Sequence, residues 1–212
     1  MLSNVLRAAA GAALAAGLLT GPAGPASAAA TCTYAPDGKA ARNVGTPSGD
    51  VGRLRPYAAT LHTNHGAVVF EADTAKAPCT TNSFAHLAGH KYFDGTSCHR
   101  LTTAGIFVLQ CGDPTGTGSG GPGYRFADEN LSGAVYPAGT VAMANAGPGT
   151  NGSQFFLVYR DTRLPPRYTP FGKVTGNAGV LREIARKGTA DGGSDGAPRQ
   201  KVVIDSVRIA AR

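Results

Sequence analysis

The chain has 212 residues, with 20 Lys and Arg against 13 Asp and Glu, for a net charge of +7. Hydrophobic residues at 42% suffice for a packed core, and 16% charged residues is not a disorder signature; the basic residues are too scattered to make a nucleic-acid face. Thirty Gly and 14 Pro imply many turns and few long helices, which favours one all-β or α+β domain after a leader.

Residues 1–28 read as a secretory signal peptide. Arg7 supplies the positive start, Ala8 to Leu19 the apolar stretch, and Ala26-Ser27-Ala28 a cleavage site before Ala29. The apolar stretch is about a dozen residues, short of the roughly 20 a spanning helix needs, so no integral membrane span is expected. Cys32 lacks a small residue directly before it, which argues against lipidation. Cleavage removes Arg7 and leaves 19 basic and 13 acidic groups, or +6, suited to an anionic envelope. The expected location is extracytoplasmic.

Four cysteines, Cys32, Cys79, Cys98 and Cys111, are an even set in an exported chain and predict two disulfides, with three connectivities open. Cys98 and Cys111 fall on expected neighbouring strands, which favours Cys98–Cys111 with Cys32–Cys79. No pair has the close spacing of a structural zinc site.

Residues 29–55 lack periodicity and read as an N-terminal extension, pinned at Cys32. Tyr57 to Thr63 and Ala67 to Ala72 alternate around Asn64-His65-Gly66, a hairpin. Pro78 and Thr80-Thr81-Asn82 open a helix with Phe84, Leu87 and Ala88 on one face, ended by Gly89. His86 and His90 have a metal-ligand spacing, but no Glu follows His86, so no metal is expected. Tyr92 to Thr96 form a turn, Ser97 to Leu101 a strand, and Ile106 to Cys111 the next strand. Gly116 to Gly121 match G-x-G-x-x-G but run into Pro122 rather than a helix, so they predict a surface loop and no dinucleotide. Asp128 and Glu129 read as loop-bracing acids. Thr140 to Ala144 and Phe171 to Thr175 are further strands. Ala178 to Arg186 is a short helix with Val180, Leu181, Ile184 and Ala185 inward, and Val202 to Ile209 a closing strand. About eight strands and two helices without a βαβ rhythm predict a mainly β, antiparallel barrel.

The stretch from Met143 to Phe156 organises the rest. Asn145 to Gly152 is small and glycine-rich, able to turn tightly and expose backbone N–H and C=O groups. Ser153 to Tyr159 then forms a strand that offers Phe156. Such a loop and strand can hold a peptide group beside an apolar slot. Nucleophilic chemistry is disfavoured: Ser153 lacks both glycines of G-x-S-x-G, and Cys98 and His99, adjacent on a strand, point to opposite faces.

Four ordered segments carry a resemblance: Phe93-Asp94-Gly95-Thr96 before Cys98-His99-Arg100, Phe107 to Asp113, Met143 to Phe156, and Phe171-Gly172-Lys173-Val174. Together they resemble the cyclophilin family of peptidyl-prolyl isomerases. The resemblance implies an eight-stranded antiparallel barrel capped by two helices across residues 56–212, with no cofactor and with proline-containing peptide segments as partners. It makes Arg100 the donor to the prolyl nitrogen, with Gln110 holding Arg100 and Asn145 binding the residue before proline through its main chain. It assigns Phe107, Val108, Phe156 and Leu164 to the proline pocket, Ala144 and Gln154 to a neighbouring shallow subsite, and counts Tyr168 among the substrate-binding positions. The implied activity is isomerisation of X–Pro bonds in exported proteins by a monomer. A secreted proline-peptide-binding or holdase module is the competing reading.

The chain also departs from the family pattern. The spacing from Arg100 to Phe107 is two residues longer than usual. Val108 stands where Met is common. Arg163 stands where cyclosporin-sensitive relatives carry Trp, and Tyr168 where they commonly carry His. Weak cyclosporin binding is expected, because Arg163 supplies neither an indole N–H nor a ring face.

Overall fold

The structure, a computed structural model, describes residues 31–212. The expected leader, residues 1–28, lies outside the described residues. In chain order the elements are β1 (Ala35–Pro36), β2 (Tyr57–Thr63), β3 (Gly66–Ala72), α1 (Pro78–Gly89), β4 (Thr96–Cys98), β5 (Arg100–Thr102), β6 (Val108–Cys111), β7 (Tyr124–Arg125), β8 (Thr140–Met143), β9 (Phe155–Val158), β10 (Pro170–Gly176), α2 (Ala178–Arg186), β11 (Asp195–Gly196) and β12 (Val202–Ala211). None of the described helices is long and apolar enough to cross a membrane.

The large sheet is antiparallel with the order β11-β5-β6-β9-β8-β10-β3-β2-β12-β4. It curls on itself. β4 and β5 are separated only by His99 yet lie toward opposite ends, β4 against β12 and β5 against β6. The expected strand from Ser97 to Leu101 is therefore divided at His99, where the chain changes partner. Counted as one interrupted strand with the short β11 set aside, the sheet has the expected eight strands.

Local chemistry explains the elements. β2 and β3 pair from Thr63 opposite Gly66 to Ala58 opposite Glu71. Gly66 sits at φ 114°, a conformation that favours glycine, at the end of the Asn64-His65 turn. Pro78 opens α1, where a missing N–H costs nothing. No side chain of the preceding residue caps this helix. Instead Glu129 accepts from Cys79 N–H (3.0 Å), Thr80 N–H (2.8 Å) and the Thr80 hydroxyl (2.7 Å), placing a carboxylate at the positive end of the helix. Its neighbour Asp128 accepts from Gly149 N–H and Asn151 Nδ2, each at 2.8 Å, and so braces the loop before β9.

Phe84, Leu87 and Ala88 of α1 and Leu181 and Ile184 of α2 are buried in the barrel core. There Phe84 stacks on Phe93 with centroids 5.1 Å apart and meets Phe70 (5.3 Å) and Phe155 (5.5 Å) edge-on, the arrangement aromatic quadrupoles favour.

The extension is ordered by tertiary contacts. Cys32 is bonded to Cys79 and Cys98 to Cys111. Tyr34 donates to Cys79 O (2.8 Å), and its ring packs edge-on against Tyr124 and Phe126. Arg42 Nη1 lies within 2.7–3.2 Å of the carbonyls of Lys91, Tyr92 and Asp94. His86 Nε2 lies 3.1 Å from Val44 O and 3.2 Å from Gly45 O, so this ring meets the extension's backbone; burial lowers its pKa.

Candidate active site

Arg100 on β5 lies opposite Gln110 on β6, and Gln110 lies opposite Phe156 on β9, which lies opposite Ala142 on β8. Directly opposed residues share a face, and alternate residues along a strand return to it. Val108, Gln110, Phe156, Val158 and Ala142 therefore occupy one outer face of the sheet. On it a second apolar cluster, separate from the barrel core, comprises Val108, Tyr136, Ala142, Phe156 and Val158. Ile106, Ala134, Ala144, Leu164 and Tyr168 pack against it, only partly buried. The Phe156 and Tyr168 rings meet edge-on at 5.6 Å. The Tyr136 hydroxyl donates to Tyr168 O (2.8 Å) and accepts from Tyr168 N–H (3.1 Å), which fixes that rim; burial pushes its pKa up.

The Arg100 guanidinium stands beside this cluster. Nε and Nη2 donate to the two carboxylate oxygens of Asp195, each at 2.7 Å, and Nη1 donates to Gln110 Oε1 at 3.3 Å. Asp195 reaches it because β11 pairs with β5, placing Asp195 opposite Thr102. The hydrogen bonds from Arg100 hold the Asp195 carboxyl below its ordinary pKa, and those to Asp195 raise that of Arg100.

A polar relay continues from Gln110. Gln110 Nε2 donates to Gln154 Oε1 (2.9 Å), and Gln154 Nε2 donates to Gly118 O (2.9 Å) and Gly120 O (3.0 Å). The 116–121 loop that receives it is wrapped around buried Asp113, which accepts from Gly118 N–H (2.7 Å), Gly120 N–H (3.0 Å) and Thr115. Burial pushes the Asp113 pKa up, but these hydrogen bonds prevail and hold it low. A Cβ at Gly120 would collide with this carboxylate, which accounts for glycine there. The loop covers His99. Both His99 ring nitrogens are buried without a hydrogen-bond partner among the described residues, and burial lowers its pKa, which keeps the ring neutral.

On the other side of the cluster, Asn145 Nδ2 donates to Arg167 O (2.8 Å) and its Oδ1 accepts from Gly147 N–H (3.3 Å). The side chain is thus held locally, while the Asn145 backbone N–H and C=O make no hydrogen bond to a described residue. The neighbouring Ala144 N–H is taken by Gln154 O (3.0 Å). The loop consequently leaves the Asn145 N–H and C=O open beside the apolar cluster.

Of the residues singled out in the sequence, Arg100, Gln110, Gln154, Ala144, Asn145, Val108, Phe156, Leu164 and Tyr168 come together here. Phe107 is placed differently. It follows Ile106 and precedes Val108, so its ring turns to the opposite side. It packs edge-on to Tyr159 at 6.0 Å and under the Arg160 guanidinium, 3.5 Å from the ring centroid. Ile106 packs against the apolar cluster instead. Sequence reasoning also missed Asp195, 95 positions from Arg100, whose signal was only an acidic residue in a Gly-rich loop.

A family model described as cyclophilin type peptidyl-prolyl cis-trans isomerase/CLD matches residues 58–209. The probable peptidyl-prolyl cis-trans isomerase B of Mycobacterium leprae is 46% identical over 195 residues, covering 84% of this chain and 66% of that protein. Its Mycobacterium tuberculosis counterpart is 45% identical over 197 residues, covering 85% of this chain and 64% of that protein. The chain thus spans a little under two thirds of the length of these relatives. The peptidyl-prolyl cis-trans isomerase B of Streptomyces anulatus is 41% identical over 172 residues, covering 73% of this chain and 97% of that protein. Among solved structures, a Cryptosporidium parvum cyclophilin type isomerase superposes with a TM-score of 0.66 at 29% identity, covering 74% of this chain and 99% of that one. The curled sheet, its two helices and the match over residues 58–209 lead to one conclusion: this chain belongs to the cyclophilin type peptidyl-prolyl cis-trans isomerase family.

Proposed function

We propose that the protein accelerates cis–trans rotation of X–Pro bonds in exported polypeptides, acting as a monomer and assisting their folding. Rotation about a prolyl amide faces a barrier of about 18–20 kcal/mol set by resonance, and takes tens to hundreds of seconds unaided. Lowering it by about 6 kcal/mol speeds the reaction by a little over four powers of ten. No covalent bond has to form. The catalyst needs a slot for the ring, a donor for the nitrogen as it becomes pyramidal, and an anchor on one side of the bond.

The observation that carries this reading is the bridged position of Arg100 between Asp195 and Gln110 beside the apolar cluster. Of the five guanidinium N–H bonds, three are engaged and two remain for substrate. In this reading the proline ring enters the notch of Val108, Phe156, Leu164 and Ile106. Arg100 donates to the prolyl nitrogen and withdraws lone-pair density from the amide. Gln110 orients Arg100, the Asn145 backbone pairs with the residue before proline, and Ala144 and Gln154 line the next subsite. Two disulfides, Cys32–Cys79 and Cys98–Cys111, suit an oxidising compartment outside the cytoplasm.

The test is an isomerisation assay on a proline-containing peptide. Wild type should accelerate exchange, and Arg100→Ala should lose about 10²- to 10³-fold in kcat/KM, as for removal of one transition-state donor. If wild type and Arg100→Ala bind peptide equally and neither accelerates exchange, the protein is a peptide-binding module and the proposal fails.

A further inference from the structure

Beside the proline notch lies a cavity of about 540 Å³ bounded by Ala144–Ala146, Gln154 and the 118–122 loop. None of these barrel residues is charged. The outer wall comes from the N-terminal extension, through Asp37, Gly38 and Lys39. That wall is fastened on both sides: Asp37 N–H donates to Gly123 O (3.0 Å) and Ala41 N–H donates to Gly121 O (2.8 Å). β1 pairs Ala35 with Arg125 and Pro36 with Tyr124 just before it, and Gly38, at φ 66°, makes the turn between the two anchors. The extension is further held by the Cys32–Cys79 disulfide and by Arg42 on three carbonyls. Asp37 and Lys39 are exposed, and neither side chain has a hydrogen-bond or ion-pair partner among the described residues.

We propose that the extension is a specificity element, and that Lys39 favours an acidic side chain two or three positions before the proline. This rests on the isomerase reading of the adjacent notch. A peptide whose residue before proline pairs with the Asn145 backbone runs on into this cavity. Lys39 is the only cation among the lining residues, and its four-carbon stem can follow a mobile side chain. Asp37 carries the opposing charge on a much shorter side chain, and the net positive charge of the chain reinforces Lys39. A solvent-exposed pair of this kind changes affinity by roughly two- to fivefold.

The experiment compares peptides with Glu, Gln or Lys at these two positions in wild type, Lys39→Glu, Lys39→Gln and Asp37→Asn. Both kcat/KM and the Kd from a fluorescence titration are read at low and high salt. Wild type should prefer Glu over Lys by about two- to fivefold at low salt. Lys39→Gln should abolish that preference, Lys39→Glu should reverse it, and Asp37→Asn should enlarge it. An unchanged Glu-to-Lys ratio in Lys39→Glu overturns the proposal even if the protein is an active isomerase. If no variant turns over substrate but the Kd ratio still reverses, the wall assignment stands and the isomerase reading falls.

Discussion

Arg100 and Asp195 meet fork to fork, with Nε on Oδ1 and Nη2 on Oδ2 at 2.7 Å each. The pair is solvent-accessible, with side chains 39% and 52% exposed, so it adds little to stability. Its effect is geometric: a bidentate carboxylate fixes the plane of the guanidinium.

Asp195→Asn keeps the side-chain size but removes the charge and one acceptor. It should lower kcat about tenfold while moving KM little, and Asp195→Glu should recover part of the loss. The pH profile separates this from a structural role. Because Arg100 depresses the Asp195 pKa, the clamp is complete above the ordinary carboxylate range and is lost as pH falls through the lower folded-state value. The wild-type acid limb should therefore begin below that ordinary range, and the Asp195→Asn profile should lack it. NMR exchange spectroscopy on a proline peptide measures both.

Ile106 and Phe107 should respond in opposite ways to the same change. Ile106→Ala opens the wall of the notch and should raise KM severalfold. Phe107→Ala removes a ring held by Tyr159 and Arg160 and should lower the unfolding midpoint with less change in KM. Steady-state kinetics and thermal melts on the two variants decide between Ile106 and Phe107 as the wall.

Arg163 is exposed, immediately before Leu164 at the notch. Cyclosporin should inhibit the wild type weakly. Arg163→Trp supplies the missing ring face and N–H donor, and should tighten inhibition about tenfold or more. An inhibition titration of both proteins checks this.

The two disulfides should differ in their contribution. Chain-entropy arguments give about 4 kcal/mol for the Cys32–Cys79 loop, with a separation of 47, and about 3 kcal/mol for Cys98–Cys111, with a separation of 13. Denaturant unfolding of the paired serine variants tests the order. Cys98–Cys111 ties β4 to β6, either side of Arg100, so its loss should also lower kcat. Loss of Cys32–Cys79 should act mainly on stability and on the cavity walled by the extension.

How far the sequence went can be read from particular residues. The hairpin at Asn64 and the helix from Pro78 were legible because turn chemistry and a proline at a helix start are local signals, whereas the cysteines left three connectivities open and strand adjacency only favoured Cys98–Cys111. Arg100, Gln110 and Phe156 were legible through spacing within motifs. Asp195 was not, because its role arises from pairing between a two-residue strand and β5. Ile106 was hidden because it lies just before β6, outside any motif, and only its packing against the cluster reveals it. The extension carries no periodicity because it is ordered by long-range bonds from Arg42, Tyr34 and Cys32, and such partners leave no pattern in neighbouring residues.

Glu129 grips the first turn of α1 while Asp128, one residue earlier, grips the loop that carries Asn145. Two consecutive acids thus act as a tie rod between α1 and the loop that precedes β9. A substitution that shortens that rod, Glu129→Asp for example, is expected to move the loop although it touches no residue of the notch.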